Sequence, residues 1–146
     1  MKTTAGIFLI NRNKEVLIGH PTNHPKDFWS IPKGEFNHPC DPFIEALREL
    51  EEETNVAINP NVKHHKLEPK TYKSNKKTLH SFIIFEDEND LNLSKIELKC
   101  NSFFERKGKM MPEFDQIKWI KIKKAIDLVH ESQKNQLMRI YSSFRF

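Results

Sequence analysis

Asp41-Pro42-Phe43-Ile44-Glu45-Ala46-Leu47-Arg48-Glu49-Leu50-Glu51-Glu52-Glu53-Thr54-Asn55-Val56 is the stretch on which the reading of this chain turns. Asp41 is a good N-cap, because its carboxylate can accept from an unpaired backbone N–H. Pro42 suits the first helical position, where a missing N–H costs nothing. Asn55 tolerates the left-handed conformation and marks the stop. At about 100° per residue, Phe43, Ala46, Leu47, Leu50 and Thr54 fall on one stripe that must pack on a sheet. Glu45, Glu49, Glu52 and Glu53 fall on another. Carboxylates at i, i+3 and i, i+4 repel by about 0.2–0.5 kcal/mol per pair even when exposed. Arg48 can relieve part of this through Glu45 or Glu52, but one cation against four anions leaves the face negative. Hard divalent ions such as Mg²⁺ or Mn²⁺ take oxygen ligands and would balance it. A solvated acidic helix face is the alternative.

Upstream of the helix, Ala5-Gly6-Ile7-Phe8-Leu9-Ile10 is an unbroken apolar run that reads as a buried strand. Asn11-Arg12-Asn13-Lys14 is turn chemistry, and Glu15-Val16-Leu17-Ile18-Gly19-His20 returns as the second arm of a hairpin. Residues 28–31 form a short apolar piece that Pro32-Lys33-Gly34 is expected to stop. Downstream, strands are expected at 67–73, 78–85 and 116–122, with part of 91–104 extended. Helices are expected at 124–129 and 132–142, where Ala125, Leu128, Leu137, Ile140 and Tyr141 supply apolar faces. The order predicts an α+β fold, an α/β/α sandwich with a mixed sheet flanked by helices, forming one domain over residues 1–146.

The chain has 146 residues, 37% hydrophobic and 30% charged, enough for a core without staples. Cys40 and Cys100 stand far apart with no second Cys or His at zinc spacing, which argues against a disulfide framework and a structural zinc site. No apolar run reaches the roughly 18 residues of a membrane span, and the first ten residues do not read as a signal peptide. The expected compartment is the cytoplasm. A net charge of +4 reflects a lysine-rich surface and favours anionic partners, without separating nucleotides from nucleic acids.

Gly34, followed by Arg48-Glu49-Leu50-Glu51-Glu52-Glu53-Thr54-Asn55-Val56, resembles the Nudix box, G-x5-E-x7-R-E-U-x-E-E-x-G-U with U aliphatic. Trp29-Ser30-Ile31-Pro32-Lys33-Gly34 resembles the entry to that box in the dinucleoside tetraphosphate (Ap4A) hydrolase branch. Two positions depart from the pattern. The first box glutamate falls at Cys40, a poor partner for a hard ion, for which Asp41 or Glu45 could substitute, and the final glycine falls at Asn55. The resemblance implies the Nudix fold and hydrolysis of a phosphoanhydride bond by water, with Mg²⁺ or Mn²⁺. By the same resemblance Glu49, Glu52 and Glu53 are metal ligands and catalytic acids, and Arg48 orients them. A backbone carbonyl of Lys33 or Gly34 adds a ligand. Glu113 is the first candidate for a further acid from a later loop, Glu105 the second. Lys33, Tyr72 and Lys77 are candidate substrate contacts. Lys73, Lys76 and Lys77 around Ser74-Asn75 form a basic loop that could catch a polyphosphate tail or be an ordinary charged turn, and Tyr72 and Phe114 could stack on a base. His64, His65 and His80 are read as structural or exposed, and Trp29 and Trp119 as core.

The partner implied is a small nucleotide, foremost a dinucleoside polyphosphate. ADP-ribose, FAD, diadenosine triphosphate (Ap3A) and a 5′-triphosphorylated RNA end are alternatives. An RNA pyrophosphohydrolase more typically carries Pro-Gln-Gly-Gly where this chain has Pro32-Lys33-Gly34-Glu35. Two other classes are a catalytically weak nucleotide-binding module, which Cys40 keeps in view, and a nonspecific nucleic-acid binder driven by charge.

Overall fold

The computed structural model describes residues 2–72 and 76–144, apart from the side chain of Tyr72. Lys73, Ser74 and Asn75 of the expected basic loop at 73–77 therefore lie outside the described residues, as does the Tyr72 ring. Strands β1 (Lys2–Ile10) and β2 (Glu15–Pro21) form the expected hairpin, with Lys14 taking a left-handed φ of 62° in the turn. β6 (Lys77–Phe85) runs parallel to β1 along its whole length. β9 (Phe114–Lys121) pairs antiparallel with β2, giving the central order β6-β1-β2-β9 in a mixed sheet.

Both faces of this sheet are covered, which is why β1 is apolar at nearly every position rather than alternating. Ala5, Ile7 and Leu9 point to one side, where helix α1 (Pro42–Thr54) lays down Phe43, Ala46, Leu47 and Leu50. Phe8, Ile10, Val16 and Ile18 point to the other, against Ile122, Ala125, Leu137 and Ile140 of α2 (Ile122–Ala125) and α3 (Glu131–Ser143). The sandwich is the expected one. Asp41 caps α1 by accepting from the Phe43 N–H at 2.9 Å, and Asn55 closes it at φ 72°.

Several expected boundaries differ. Lys33 and Gly34 do not stop an apolar piece; they open β3 (Lys33–Phe36), which pairs with the first half of β1. The segment before it bridges to β2 at Gly19 and Ser30. It is pinned from α3, where Gln133 Oε1 accepts from the Ile31 N–H at 2.8 Å and its amide donates to Ser30 Oγ at 2.9 Å. The strand expected at 67–73 is two short pieces, β4 (His65–Lys66) and β5 (Lys70–Tyr72), with Pro69 between them, since proline cannot donate to a ladder. The expected helix at 124–129 begins earlier and ends at Ala125. A hairpin that the sequence reading left unresolved, β7 (Phe103–Arg106) and β8 (Lys109–Pro112), stands apart from the main sheet. Its turn places Lys107 at φ 51° and Gly108 at φ 79°, the paired left-handed conformation of a type I′ turn.

Candidate active site

Leu50 and its neighbours fix α1 against β1, and that packing decides where the acids go. Arg48 sits over the exposed side of the helix and donates to three carboxylates: Glu45 at 2.7 Å, Glu49 at 2.9 Å and Glu52 in a shorter contact. The expectation of a salt bridge to Glu45 or Glu52 thus understates its reach. Three carboxylates keep the guanidinium firmly protonated, and in return Arg48 holds Glu45 below the usual carboxylate range. Glu49 moves the other way. It is largely shielded from water, and that burial raises its affinity for a proton despite Arg48.

Glu53 behaves differently from the other three. It lies where the acidic and apolar stripes meet and is only 7% exposed. One oxygen accepts from the Lys33 N–H at 3.0 Å. Burial pushes its carboxyl well above the ordinary range, and the charges of Glu49 and Glu113 add to this. A buried carboxylate with two like charges nearby is costly unless a cation or proton joins it.

Gly34 is the backbone counterpart of this arrangement. Its φ is not left-handed; the requirement is space, since a Cβ there would fall inside the van der Waals shell of the Glu49 carboxylate. The glycine of the box lets strand β3 lie directly against a helix carboxylate.

Glu53 opens onto a cavity of about 250 Å³. Lys33 and Lys77 line it, as do Glu113, just before β9, and Phe114, its first residue. Glu113, some sixty positions from Glu53 in the sequence, is therefore brought to the same space. The backbone of Glu113 is held on both sides, its N–H donating to Ser102 and its carbonyl accepting from Thr22. Lys77 also reaches Glu35 at 3.3 Å. Phe114 is mostly packed, its ring pressed on Gly19, where no Cβ could fit. Glu105, on the separate hairpin, does not line this cavity. Trp29 is core as expected, whereas Trp119 is partly buried. His64 stacks on Phe43 at 3.7 Å and His65 pairs with Glu88 at 2.7 Å.

Sequence reasoning missed the aromatic side of the cavity. His24 and Phe28 stack at 4.8 Å, and His130 meets Phe28 edge-on at 5.6 Å. It also missed His20, whose ring nitrogens face the Asp115 carboxylate at 2.7 Å and the Pro25 carbonyl at 2.9 Å. These residues are isolated in sequence, and no spacing rule links positions 20–28 to 115 and 130. A larger, shallow depression of about 670 Å³ along α3 is lined by Ile126, Met138 and Tyr141 and contains one acid, Asp127. It lacks the convergent carboxylates, so the smaller cavity is the chemical candidate.

The donor set around Glu49, Glu52 and Glu53 consists of carboxylate oxygens, the ligands that hard divalent ions select. The burial of Glu53, with Glu49 and Glu113 close enough to raise its proton affinity, fits a site that a cation completes. Strand β3 meets these acids at two points, the Lys33 N–H on Glu53 and Gly34 against the Glu49 carboxylate.

The family model described as NUDIX domain matches residues 1–140. An RNA pyrophosphohydrolase of Pelagibacter ubique is 32% identical over 56 residues, which is 38% of this chain and 35% of that protein. Among solved structures, a Caenorhabditis elegans Ap4A hydrolase in a binary complex superposes with a TM-score of 0.65 at 21% identity, over 99% of this chain and 97% of that one. A bifunctional NMN adenylyltransferase/ADP ribose pyrophosphatase of Francisella tularensis, complexed with AMP and a Mn ion, gives a TM-score of 0.67 at 21% identity. The match covers 98% of this chain and 41% of that protein. At these identities the structural likeness establishes the fold.

Proposed function

The chain belongs to the NUDIX domain family, and from that premise we propose that it is a nucleotide pyrophosphohydrolase acting on nucleoside diphosphate-linked compounds. The observation that carries this reading is convergence: Glu53, Glu113, Lys33 and Lys77, from four separate elements, line one cavity beside the Arg48-bound acids. Glu49, Glu52 and Glu53 would hold Mg²⁺ or Mn²⁺, with Glu113 and a carbonyl of Lys33 or Gly34 as further ligands. When bound, such an ion would supply charge neutralisation for phosphate oxygens and acidify a water. The chain's own groups do the positioning. Arg48 ties Glu45, Glu49 and Glu52 together across about two turns of helix, so their oxygens need little reorganisation when charge develops. The Lys33 N–H fixes one oxygen of Glu53, a residue that lines the cavity. Glu49 and Glu53, the two of these ligands best shielded from bulk water, are the acids placed to orient or deprotonate the attacking water. The ammonium groups of Lys33 and Lys77 attract the phosphate chain.

For the substrate, the reading is a dinucleoside polyphosphate such as Ap4A. Its support is the Trp29–Gly34 entry, the flanking lysines and the likeness to a C. elegans protein that is an Ap4A hydrolase. A 5′-triphosphorylated RNA end is the second reading, favoured by the Pelagibacter relative and opposed by Lys33-Gly34-Glu35 in place of Gln-Gly-Gly. The test is a panel of Ap4A, Ap3A, ADP-ribose, FAD and triphosphorylated RNA with Mg²⁺ or Mn²⁺, products identified by chromatography. Turnover of at least one substrate is expected, with Glu52→Gln reducing it about a hundredfold or more. Unchanged turnover in that variant removes the assignment, and binding without turnover points to a nucleotide-binding module.

A further inference from the structure

The position where the Nudix box has its first glutamate is a cysteine, and the structure departs from the expectation of no Cys/His pairing there: His38, two residues upstream, and Glu45, one turn into α1, lie beside it. His38, Cys40 and Glu45 each present one ligand atom, and the three atoms lie within 4.8 Å of one another. Glu45 divides its carboxylate. One oxygen takes Arg48 at 2.7 Å, while the other faces His38 Nε2 at 3.6 Å. The second oxygen is thus turned away from the box acids toward the imidazole and the thiol.

We propose that His38, Cys40 and Glu45 form a binding site for a thiophilic divalent cation of the zinc class, separate from the Mg²⁺/Mn²⁺ site of Glu49, Glu52 and Glu53. The donor set decides the class. A thiolate and an imidazole select Zn²⁺, Co²⁺ or Cd²⁺ and offer little to Mg²⁺, whose preferred ligands are carboxylates, phosphates and water. Metal–ligand distances of about 2.0–2.3 Å place tetrahedral ligand atoms roughly 3.3–3.8 Å apart. Closing from within 4.8 Å requires only side-chain rotation. The His38 side chain is 59% exposed, whereas Glu45 is 13% exposed and anchored by Arg48. Three protein ligands leave a fourth position for water.

Binding breaks the Cys40 S–H bond as the sulfur–metal bond forms, and the proton leaves to solvent. Asp41 does not join the set through the oxygen that caps α1. Because Glu45 keeps Arg48 on its other oxygen, the ion would communicate with the box acids through one guanidinium.

The test uses the full chain carrying Cys100→Ser, so that one thiol remains, titrated with Co²⁺ alone in the presence of excess Mg²⁺. A thiolate-to-cobalt charge-transfer band saturating at one equivalent is expected. It should vanish in Cys40→Ser, require at least tenfold more Co²⁺ in His38→Ala, and persist in Glu52→Gln. No band, a band that survives Cys40→Ser, or one abolished by Mg²⁺ overturns the proposal. Should Cys40→Ser fail to fold by circular dichroism, alkylation of Cys40 in the Cys100→Ser parent gives the answer. Zn²⁺ is expected to slow it at least tenfold, and an unchanged rate overturns the proposal.

Discussion

Replacing Gly34 by alanine adds one methyl group at the point where strand β3 meets the Glu49 carboxylate. The backbone there is not left-handed, so alanine strains nothing locally. The methyl instead occupies the space of the Glu49 carboxylate carbon and both oxygens, which must retreat by more than about 1 Å to regain an ordinary contact. Moving a flexible side chain off its rotamer costs about 0.5–1.5 kcal/mol, so the variant should fold with a slightly lowered melting temperature. A misplacement of about 1 Å in a reacting group costs on the order of 10²-fold in rate, or about 2.7 kcal/mol of transition-state stabilisation. Steady-state kcat/KM on the best substrate of the panel, measured with saturating Mg²⁺, is the assay, and Glu49→Ala supplies the partner for a double-mutant cycle. Adding Gly34→Ala to Glu49→Ala should cost little more, because the displaced group is already gone. A Gly34→Ala enzyme within threefold of wild type, or two effects that simply add, would refute the assignment of Glu49.

His20 bonds to Asp115 and the Pro25 carbonyl, and although burial lowers its proton affinity, those bonds leave it raised overall. Its stabilisation is therefore fully present below the ordinary histidine value and lost as pH rises through the raised folded value. Melting temperatures of wild type and His20→Gln should converge across that rise, and a constant gap would disprove the link. Asn55 at φ 72° also donates to the Glu97 carbonyl at 2.9 Å. Asn55→Ala should lose about 1–2 kcal/mol in chemical denaturation, with Asn55→Gly falling between it and wild type. Leu50→Ala, at a fully buried position under the acids, should lose about 2–5 kcal/mol by the same measurement.

The helix was legible because its signals are local: cap, proline, apolar stripe and stop all lie within fifteen residues of Asp41, and each appears in the structure. β1 was legible because an unbroken apolar run requires cover on both faces. The reading failed where long-range pairing or backbone conformation decides the outcome. Lys33 and Gly34 look like a terminator, yet they become a strand because β1 offers its free edge beside Gly6, where a Cβ would collide with Pro32 and Lys33. The β7–β8 hairpin turns on a left-handed Lys107-Gly108 pair among charged residues that show no clear alternation. Within the site, the helical wheel placed Glu53 with the exposed acids, since a period of 3.6 cannot show that the sheet edge reaches around to cover it. The convergence of Glu113 with Glu53, and the aromatic wall of His24, Phe28 and His130, depend on the tertiary fold alone.

Mn²⁺ binding followed by electron paramagnetic resonance, in wild type and in Glu49→Gln/Glu52→Gln/Glu53→Gln, addresses the carboxylate cluster without depending on the identity of the substrate. Removing three negative charges while keeping side-chain size should weaken Mn²⁺ at least tenfold, with the fold retained by circular dichroism. Equal affinity in the two proteins would mean that these acids do not hold the ion.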